Sequence, residues 1–439
     1  MSSQPPYTIS THSIPSTHIR GFPRGARPSP TTGLPLPLSL HIKQYTPNPP
    51  ATHPGSLTLI LTHGVGSSKE CYEPFFTYLV THPSLRGRIR SIFAMDAAHH
   101  GQSYLLNRHS IGDTPHWFDN ARDTLHMINT LQHLMPPPIV GIGQSWGCVT
   151  IAMAAVMHPR VFAGVVFLEP TFAGKGDEEV RGDVRNHRAG RMMQRKEGFA
   201  NREEARRKMR ANGYYGRFDP DVFEKVVEFD LRDVDGEDEG NEELQANIKR
   251  ARNELKKRNE RPENPGPPVT LTTPKSQEVY TLLRPNPPLP GHPSIPPDNL
   301  TPTAPESIIP GFYRPEVTTI QSWIPYILPP TLLLWGCDSD VSHEHAYHSW
   351  LLEELGAGRG GNGGVKAGKV EEKWVEGAGH SLPLEKPKET AAAAAMWLEG
   401  RMEEWEGERV AMMEGPEIWA GILDPEFPKR AEAIKSSKL

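Results

Sequence analysis

The sequence contains few cysteines, no long apolar run and no excess of positive charge. Its three cysteines cannot form a disulfide framework, so we expect a reduced, intracellular setting rather than secretion. No stretch approaches the roughly 18 apolar residues of a membrane-spanning helix, and the polar start MSSQPPYTISTHS lacks the apolar region of a signal peptide. With a formal net charge of −5, we expect neither a nucleic-acid partner nor a transmembrane segment.

Glycine and proline are abundant, and charge is unevenly distributed. The chain has 39 glycines and 45 prolines, which predicts long irregular connections. Charged side chains make up roughly half of residues 175–261. Prolines are dense in the following stretch, 262–315, where we expect no continuous helix or central strand. Within the charged segment, Asn201 and Glu204 form a capping-box pattern that predicts a helix over residues 202–210.

The remaining segments alternate predicted strands and helices. Apolar residues recur with helical spacing at positions 120–134 and 146–158. Short and almost continuously apolar segments predict buried strands at residues 57–62, 90–94, 138–142, 161–168 and 332–335. This alternation predicts an α/β fold with a mostly parallel sheet, helices on both faces and a large inserted cap.

The composition divides the chain into five parts. We assign residues 1–34 to an N-terminal extension and residues 173–317 to a helical, charged and proline-rich cap. Residues 35–172 and 318–436 form the two halves of one α/β core. The last three residues, 437–439, are treated separately as a targeting tripeptide.

The strongest local pattern is GQSWG at residues 143–147, between a predicted strand and a predicted helix. In such a G-x-S-x-G turn the serine has a strained conformation, and the glycines prevent collisions with the neighbouring strand and helix. The turn exposes the serine oxygen at the carboxyl edge of the sheet, beside the free N–H groups that begin the next helix. The pattern therefore predicts Ser145 as a nucleophile.

A second glycine-rich turn, HGVG at residues 63–66, directly follows the first buried strand. In folds with this serine turn, the loop after that strand supplies one of two backbone N–H groups that bind the oxyanion of a tetrahedral intermediate. We assign the oxyanion hole to the amides of Val65 and Trp146.

A serine hydroxyl also needs an adjacent base, and His380 is the candidate among 19 histidines. It lies in the glycine-rich sequence GAGH after a late strand predicted at residues 370–375. The order of nucleophile, acid and histidine along the chain is the one expected for this type of site.

The acid that orients the histidine has three candidates. Its usual place is the sequence GCDSD at residues 336–340, but the expected carboxylate position there is Ser339, flanked by Asp338 and Asp340. The alternative is Glu169, at the end of the strand predicted beyond the serine turn. The residues alone leave this choice open.

A metal site is not expected. The adjacent His99 and His100 point in different directions, and no cysteine, aspartate or glutamate accompanies them at ligand spacing. We interpret the pair as a structural turn that shapes one wall of the site. The chemistry predicted for Ser145 requires no organic cofactor either, so we expect no cofactor of any kind.

These residues resemble the α/β-hydrolase superfamily, and more narrowly a group of fungal peroxisomal hydrolases. That group includes toxin-biosynthesis proteins and is distantly similar to the yeast peroxisomal lipase. The resemblance covers most of the chain, and it rests on residues 63–74, 96–103, 117–129, 138–147 and 356–398. It implies an α/β-hydrolase fold and an enzyme of the esterase, lipase or thioesterase kind with a Ser-His-acid triad.

The resemblance also implies a choice of acid. The group usually has an acidic residue followed by proline after the strand beyond the serine turn, which matches Glu169-Pro170. Its later loop often has serine where other relatives have aspartate. The resemblance therefore favours Glu169 over Asp340. The group's serine turn is GHSMG, so GQSWG changes the expected shape of the acyl pocket but not the nucleophile.

The last three residues, Ser437-Lys438-Leu439, form a tripeptide that the peroxisomal import receptor reads as an address. We therefore expect that receptor as a partner and the peroxisomal matrix as the location. The expected function is hydrolysis of an ester or thioester through an acyl-enzyme, on a small-molecule fatty-acyl or secondary-metabolite substrate.

Two alternatives to this function stay open. An acyltransferase or a carbon–carbon hydrolase would use the same triad, because chemistry depends on the site and not on the fold. A hydrolase fold that has lost activity would serve instead as a binding protein, and the irregular acid position is the feature that favours it.

Overall fold

The computed structural model describes residues 5–172, 188–258, 266–285, 312–341, 343, 345–414, 426–429 and 432. The strands in these ranges are β1 (Tyr7–Pro15), β2 (Ser39–Pro47), β3 (Leu57–Thr62), β4 (Ile89–Met95), β5 (Ile139–Gln144), β6 (Gly164–Leu168), β7 (Leu231–Asp233), β8 (Val269–Leu271), β9 (Arg284–Pro285), β10 (Phe312–Tyr313), β11 (Thr331–Gly336) and β12 (Val370–Val375). The helices are α1 (Glu73–Thr81), α2 (Gly101–Asn107), α3 (Trp117–Thr130), α4 (Trp146–Met157), α5 (Arg188–Met193), α6 (Arg202–Arg210), α7 (Pro220–Phe229), α8 (Glu242–Lys257), α9 (Lys275–Leu282), α10 (Pro315–Trp323), α11 (His345–Glu354), α12 (Leu382–Glu385) and α13 (Pro387–Met413).

The main sheet has eight strands in the order β1-β2-β4-β3-β5-β6-β11-β12. From β4 to β12 neighbouring strands are parallel, whereas β2 is antiparallel to both β1 and β4. Strands β3, β5, β6 and β11 are buried along their whole length. Parallel strands covered on both faces need apolar side chains on both sides, which explains their continuously apolar sequences. The predicted mostly parallel sheet is confirmed.

The N-terminal region contributes a strand to this sheet. Strand β1 pairs with β2 from Tyr7 opposite Pro47 to Pro15 opposite Ser39, and it forms one edge of the sheet. Most of its side chains are exposed, so no buried apolar pattern marks it in the sequence. The predicted N-terminal extension over residues 1–34 therefore contains an edge strand of the main sheet.

Two apolar clusters on the two faces of the sheet form the core. Alternate residues of β3 divide between them, with Leu59 and Leu61 in one and Ile60 in the other. The first cluster contains residues of α1 and α13 and extends into the inserted segment, for example to Val222 and Phe223 of α7. The inserted segment thus shares a core with the sheet. No helix in the described part of the chain is both long and apolar enough to cross a membrane.

We call the described residues between 188 and 313 the cap. Its helix α6 begins as predicted, because the Asn201 side chain accepts a hydrogen bond from the Glu204 amide at 2.8 Å. A short helix, α9, forms inside the proline-dense stretch, over eight residues that contain no proline. Residues 286–311 of that stretch lie outside the described residues.

The C-terminal end of α7 contacts the loop that follows β3. Asp230, directly after the helix, is buried, and its carboxylate accepts hydrogen bonds from the Ser68 amide at 2.9 Å and the Cys71 thiol at 3.5 Å. Burial raises the pKa of the Asp230 carboxyl to about 7. A titratable group therefore lies within the contact between cap and core.

The raised pKa of Asp230 predicts that the stability of the folded protein depends on pH. Its folded pKa lies above the unfolded value, so the folded chain binds this proton more tightly, and the free energy of unfolding falls as pH rises from about 4 to about 7. Asp230→Asn keeps an acceptor for the Ser68 amide without the charge. Urea unfolding at about pH 5 and about pH 8 should therefore show the variant gaining stability relative to the parent at the higher pH.

Glu228→Gln is the control, because Glu228 is an exposed carboxylate on the same helix. The same pH-dependent gain in this variant, or no gain in Asp230→Asn, would contradict the assignment.

Candidate active site

The turn between β5 and α4 holds Ser145 in a strained conformation. Ser145 has φ 52° and ψ −117°, a region that residues other than glycine rarely adopt. A Cβ added at Gly143 would lie 2.6 Å from the Cys148 backbone, and one added at Gly147 would lie 2.2 Å from the Thr62 carbonyl oxygen. The turn therefore needs both glycines of GQSWG, because a side chain at either position would collide with the neighbouring backbone.

The structure brings together three side chains from distant parts of the chain. Nε2 of His380 lies 2.8 Å from Oγ of Ser145, and Nδ1 of the same ring lies 3.2 Å from Oε2 of Glu169. The Glu169 carboxylate only accepts hydrogen bonds, so Nδ1 carries the proton and Nε2 accepts from the serine hydroxyl. The Glu169 side chain is fully buried, whereas 23% of the His380 side chain is exposed.

Glu169 has two further donors, both from the loop that begins at the end of β11. The amide of Gly336 donates to Oε1 at 2.7 Å, and the hydroxyl of Ser339 donates to Oε2 at 2.6 Å. We call residues 336–341 the β11 loop. Ser339 is the position where the sequence pattern leads one to expect the acid, and in the structure it is a buried donor to Glu169.

The two aspartates of the β11 loop lie on its outer side. Asp338 and Asp340 are both exposed. Asp338 forms an ion pair with Arg217 of the cap, with Nη2 and Oδ2 3.3 Å apart. The three candidate acids thus occupy different environments, and Glu169 is the one buried against His380.

The predicted oxyanion donors, the amides of Val65 and Trp146, follow the ends of β3 and β5, which are neighbouring parallel strands. Within the described parts of the chain, the amides of Val65 and Trp146 donate to no protein acceptor. The neighbouring Gly64 amide is in use, because it donates to the Tyr72 hydroxyl at 2.9 Å. Two unused amides at these positions are what an oxyanion hole requires.

Tyr72 and Gln144 connect the HGVG turn to the loop that carries His380. The Tyr72 hydroxyl donates to Oε1 of Gln144 at 3.0 Å, and Nε2 of Gln144 donates to the His380 carbonyl at 3.1 Å. No pattern in the sequence points to Tyr72. For Gln144 the sequence signal is an unusual residue before the serine, which predicts a changed acyl pocket, whereas the side chain is buried in this hydrogen-bonded link.

Three histidine rings pack around the Trp146 side chain. The ring centroids of His63, His99 and His100 lie 6.1, 5.7 and 5.9 Å from that of Trp146. Burial lowers the pKa of each of these histidines, which keeps the rings neutral. In the described ranges no group of three potential ligands could hold a metal ion. The three histidines and Trp146 therefore form one packed aromatic cluster.

A groove of about 1260 Å³ lies elsewhere, between residues 23–35 and helix α9. Ser145, Glu169 and His380 are not among its lining residues. Its basic side chains already have partners within the groove walls, in the pairs Arg24–Asp113, Arg27–Ile111, Arg232–Asp238 and Lys275–Glu243. We therefore assign no ligand to it.

Comparison with known proteins agrees with the fold. The type I acyl-CoA thioesterase mpaH of Penicillium brevicompactum is 29% identical over 447 residues, which cover 99% of each chain. The peroxisomal membrane protein LPX1 of Saccharomyces cerevisiae is 25% identical over 213 residues, 45% of this chain and 55% of that protein. The solved structure of the peroxisomal α/β-hydrolase Lpx1 from the same yeast has a TM-score of 0.64 at 16% identity, covering 99% of this chain and 97% of that chain.

These similarities confirm the resemblance to the α/β-hydrolase superfamily that the sequence indicates. The structural likeness to the yeast hydrolase shows the fold. A model of the alpha/beta hydrolase family matches residues 59–393, well over half of the chain. This chain therefore belongs to the alpha/beta hydrolase family.

Proposed function

We propose that this protein is a serine hydrolase that cleaves acyl thioesters or esters through an acyl-enzyme. The observation that carries the proposal is the hydrogen-bonded chain from Ser145 through His380 to Glu169. The similarity to an acyl-CoA thioesterase over 99% of both chains supports coenzyme A thioesters as the substrate class. The acyl group would be a fatty acid or a secondary-metabolite acid.

Acylation follows from the geometry of these side chains. Oγ of Ser145 attacks the carbonyl carbon while Nε2 of His380, 2.8 Å away, takes its proton. The carbonyl oxygen becomes an oxyanion, to which the amides of Val65 and Trp146 donate. His380 then protonates the departing thiol or alcohol, and the acyl group remains bound to Ser145.

Deacylation repeats the sequence with water. His380 takes a proton from the water, the resulting hydroxide attacks the acyl-enzyme, and the proton returns to Oγ of Ser145 as the carboxylic acid leaves. Throughout, the negative charge of Glu169 stabilises the protonated imidazole and keeps its ring in one orientation. The buried carboxylate, 3.2 Å from Nδ1, supports Glu169 in this role over the exposed Asp338 and Asp340.

The direct test measures release of coenzyme A from a series of acyl thioesters, from short to long, by the parent protein and by Ser145→Ala. Ser145→Ala should lose turnover and also lose labelling by a fluorophosphonate, which transfers phosphorus to Oγ with loss of fluoride. Ser322→Ala, which changes an exposed serine on α10, should retain both.

Other results of this test would point to the alternatives. Acyl transfer to an added amine or alcohol in place of water would identify an acyltransferase. Release of a carbon leaving group from a β-diketone would identify a carbon–carbon hydrolase. A parent protein that neither turns over any substrate nor reacts with the fluorophosphonate would be a binding protein, and the proposed function would be wrong.

The choice of acid predicts a specific ranking of variants. Glu169→Gln should lower kcat by roughly a thousandfold or more, because the amide cannot stabilise the imidazolium and favours the wrong tautomer. Asp340→Asn and Asp338→Asn should stay within about threefold of the parent, since both side chains are exposed. Steady-state kinetics on one thioester gives all three values.

A double variant makes this test sharper. Oγ of Ser339 lies 2.6 Å from Oε2 of Glu169, so an aspartate at position 339 would bring its carboxylate to the same region. Glu169→Ala combined with Ser339→Asp should therefore recover part of the activity that Glu169→Ala loses. Large losses in Asp340→Asn, or unchanged kcat in Glu169→Gln, would overturn the assignment.

We also propose the peroxisome, and specifically its matrix, as the location. The yeast proteins that resemble this chain in sequence and in fold are named as peroxisomal. The tripeptide Ser437-Lys438-Leu439, the proposed contact with the import receptor, lies outside the described residues.

A fluorescent protein fused to the N-terminus tests the location. It should give punctate fluorescence that overlaps a peroxisomal marker, and deletion of residues 437–439 should disperse it. Protease digestion of isolated organelles should degrade the fusion only after detergent is added. Diffuse fluorescence of the full-length fusion would contradict the location, and degradation without detergent would contradict the matrix.

A further inference from the structure

One turn of the cap runs alongside the loop that carries His380. We call residues 376–381, between β12 and α12, the histidine loop. The amide of Asp219 in the cap donates to the Leu384 carbonyl in α12 at 2.9 Å. Two residues earlier, Nε of Arg217 donates to Oε2 of Glu385 at 2.7 Å. The cap is thus hydrogen-bonded to α12, which directly follows the histidine loop, through both a backbone and a side-chain donor.

Glu385 holds the histidine loop on both sides of His380. The amide of Gly379 donates to Oε2 at 2.9 Å, and the amide of Ser381 donates to Oε1 at 3.2 Å. Only 6% of the Glu385 side chain is exposed, so its charge depends on these donors and on Arg217. The amides of the two residues that flank the histidine are therefore fixed to one buried carboxylate.

Arg217 also reaches the β11 loop. Its Nη2 lies 3.3 Å from Oδ2 of Asp338, next to the Ser339 that donates to Glu169. The two loops touch directly, because the Asp338 amide donates to the Ala378 carbonyl at 2.9 Å. One arginine of the cap thus spans the outer side of both loops that surround the buried acid and the histidine.

The two contacts of Arg217 differ in strength. The pair with Asp338 is about half exposed, with 44% and 51% of the side chains accessible, and such pairs contribute little. The contact with Glu385 involves a buried acceptor and a short, charge-assisted hydrogen bond. That hydrogen bond raises the pKa of Arg217, which keeps the guanidinium charged. Glu385 is therefore the main partner.

We propose that Arg217 is a positioning residue that makes the placement of His380 depend on the docked cap. With the cap docked, Arg217 neutralises Glu385, and Glu385 orients the peptides on both sides of the histidine. Without that arginine, the buried carboxylate would have only its backbone donors, and the histidine loop would relax away from Ser145. The inference rests on the proposed function of the triad and adds control of that triad by the cap.

The test compares Arg217→Ala with Arg206→Ala. Arg206 is a matched control, because it is also an arginine of the cap, 37% exposed and paired with the exposed Glu224. The readout is the second-order rate of Ser145 labelling by a small fluorophosphonate, which requires an activated serine but little of the acyl pocket. We expect Arg217→Ala to label roughly tenfold to a hundredfold more slowly, and Arg206→Ala to label at the parent rate.

Two further measurements separate positioning from general damage. Guanidinium chloride, well below denaturing concentrations, should restore part of the labelling rate of Arg217→Ala, whereas sodium chloride at equal ionic strength should not. The slow variant should lose kcat more than it raises KM. If Arg217→Ala does not fold, Arg217→Gln, which keeps a hydrogen-bond donor but removes the charge that neutralises Glu385, takes its place with the same expected direction.

The outcomes distinguish this inference from the proposed function. If the parent labels and Arg217→Ala labels equally fast, the positioning role is wrong and the serine hydrolase stands. Equal slowing in Arg206→Ala, or no rescue by guanidinium, would also overturn the positioning role, since either result points to general loosening of the cap. A parent protein that does not label at all would instead contradict the proposed function itself.

Discussion

The buried charge of Glu169 is the constraint around which the site is built. A carboxylate with no exposed surface is tolerated only where other groups donate hydrogen bonds to it. Its donors come from the ends of two other strands, Gly336 and Ser339 after β11 and His380 after β12. Satisfying this one charge therefore fixes the relative positions of three strand ends. Ser145 enters the same network because the other nitrogen of the imidazole faces its hydroxyl.

A buried carboxylate with several hydrogen-bond donors also organises the contact between the cap and the histidine loop. Glu385 is a second buried carboxylate, and it accepts hydrogen bonds from the peptides on both sides of His380 and from Arg217 of the cap. A third acid, Asp230, lies directly after α7, and its carboxylate accepts a hydrogen bond from the Ser68 amide in the loop that follows β3. Unlike Glu385, it has no cation among its hydrogen-bond partners in the described residues, and burial raises its pKa. Two carboxylates therefore hold His380 in place. Glu169, buried in the core, contacts its ring, and Glu385, which pairs with Arg217 of the cap, binds the amides on either side of it.

The sequence predicted the parts of this arrangement that are local. Buried parallel strands are apolar throughout, and the serine turn needs glycines at fixed spacing, so both can be read without a structure. Strand β1 cannot be read in this way, because an exposed edge strand lacks that pattern. The partners of Glu169 could not be read either, since β6 and β11 are neighbours only through the order of the sheet. In the sequence Arg217 is one of many charged residues, and what distinguishes it in the structure is that its buried partner Glu385 also accepts from the amides on both sides of His380.

The alternation of Asp338, Ser339 and Asp340 has a physical reason in this arrangement. Ser339 points inward to Oε2 of Glu169, and a carboxylate at that position would place two negative charges within hydrogen-bond distance, which would force a proton onto one of them. A hydroxyl can donate where a carboxylate cannot, so an acid supplied from β6 requires a donor, not a second acid, in the β11 loop. The flanking aspartates are tolerated because they are exposed, and Asp338 there pairs with Arg217. Ser339 thus complements the buried Glu169 as a hydrogen-bond donor.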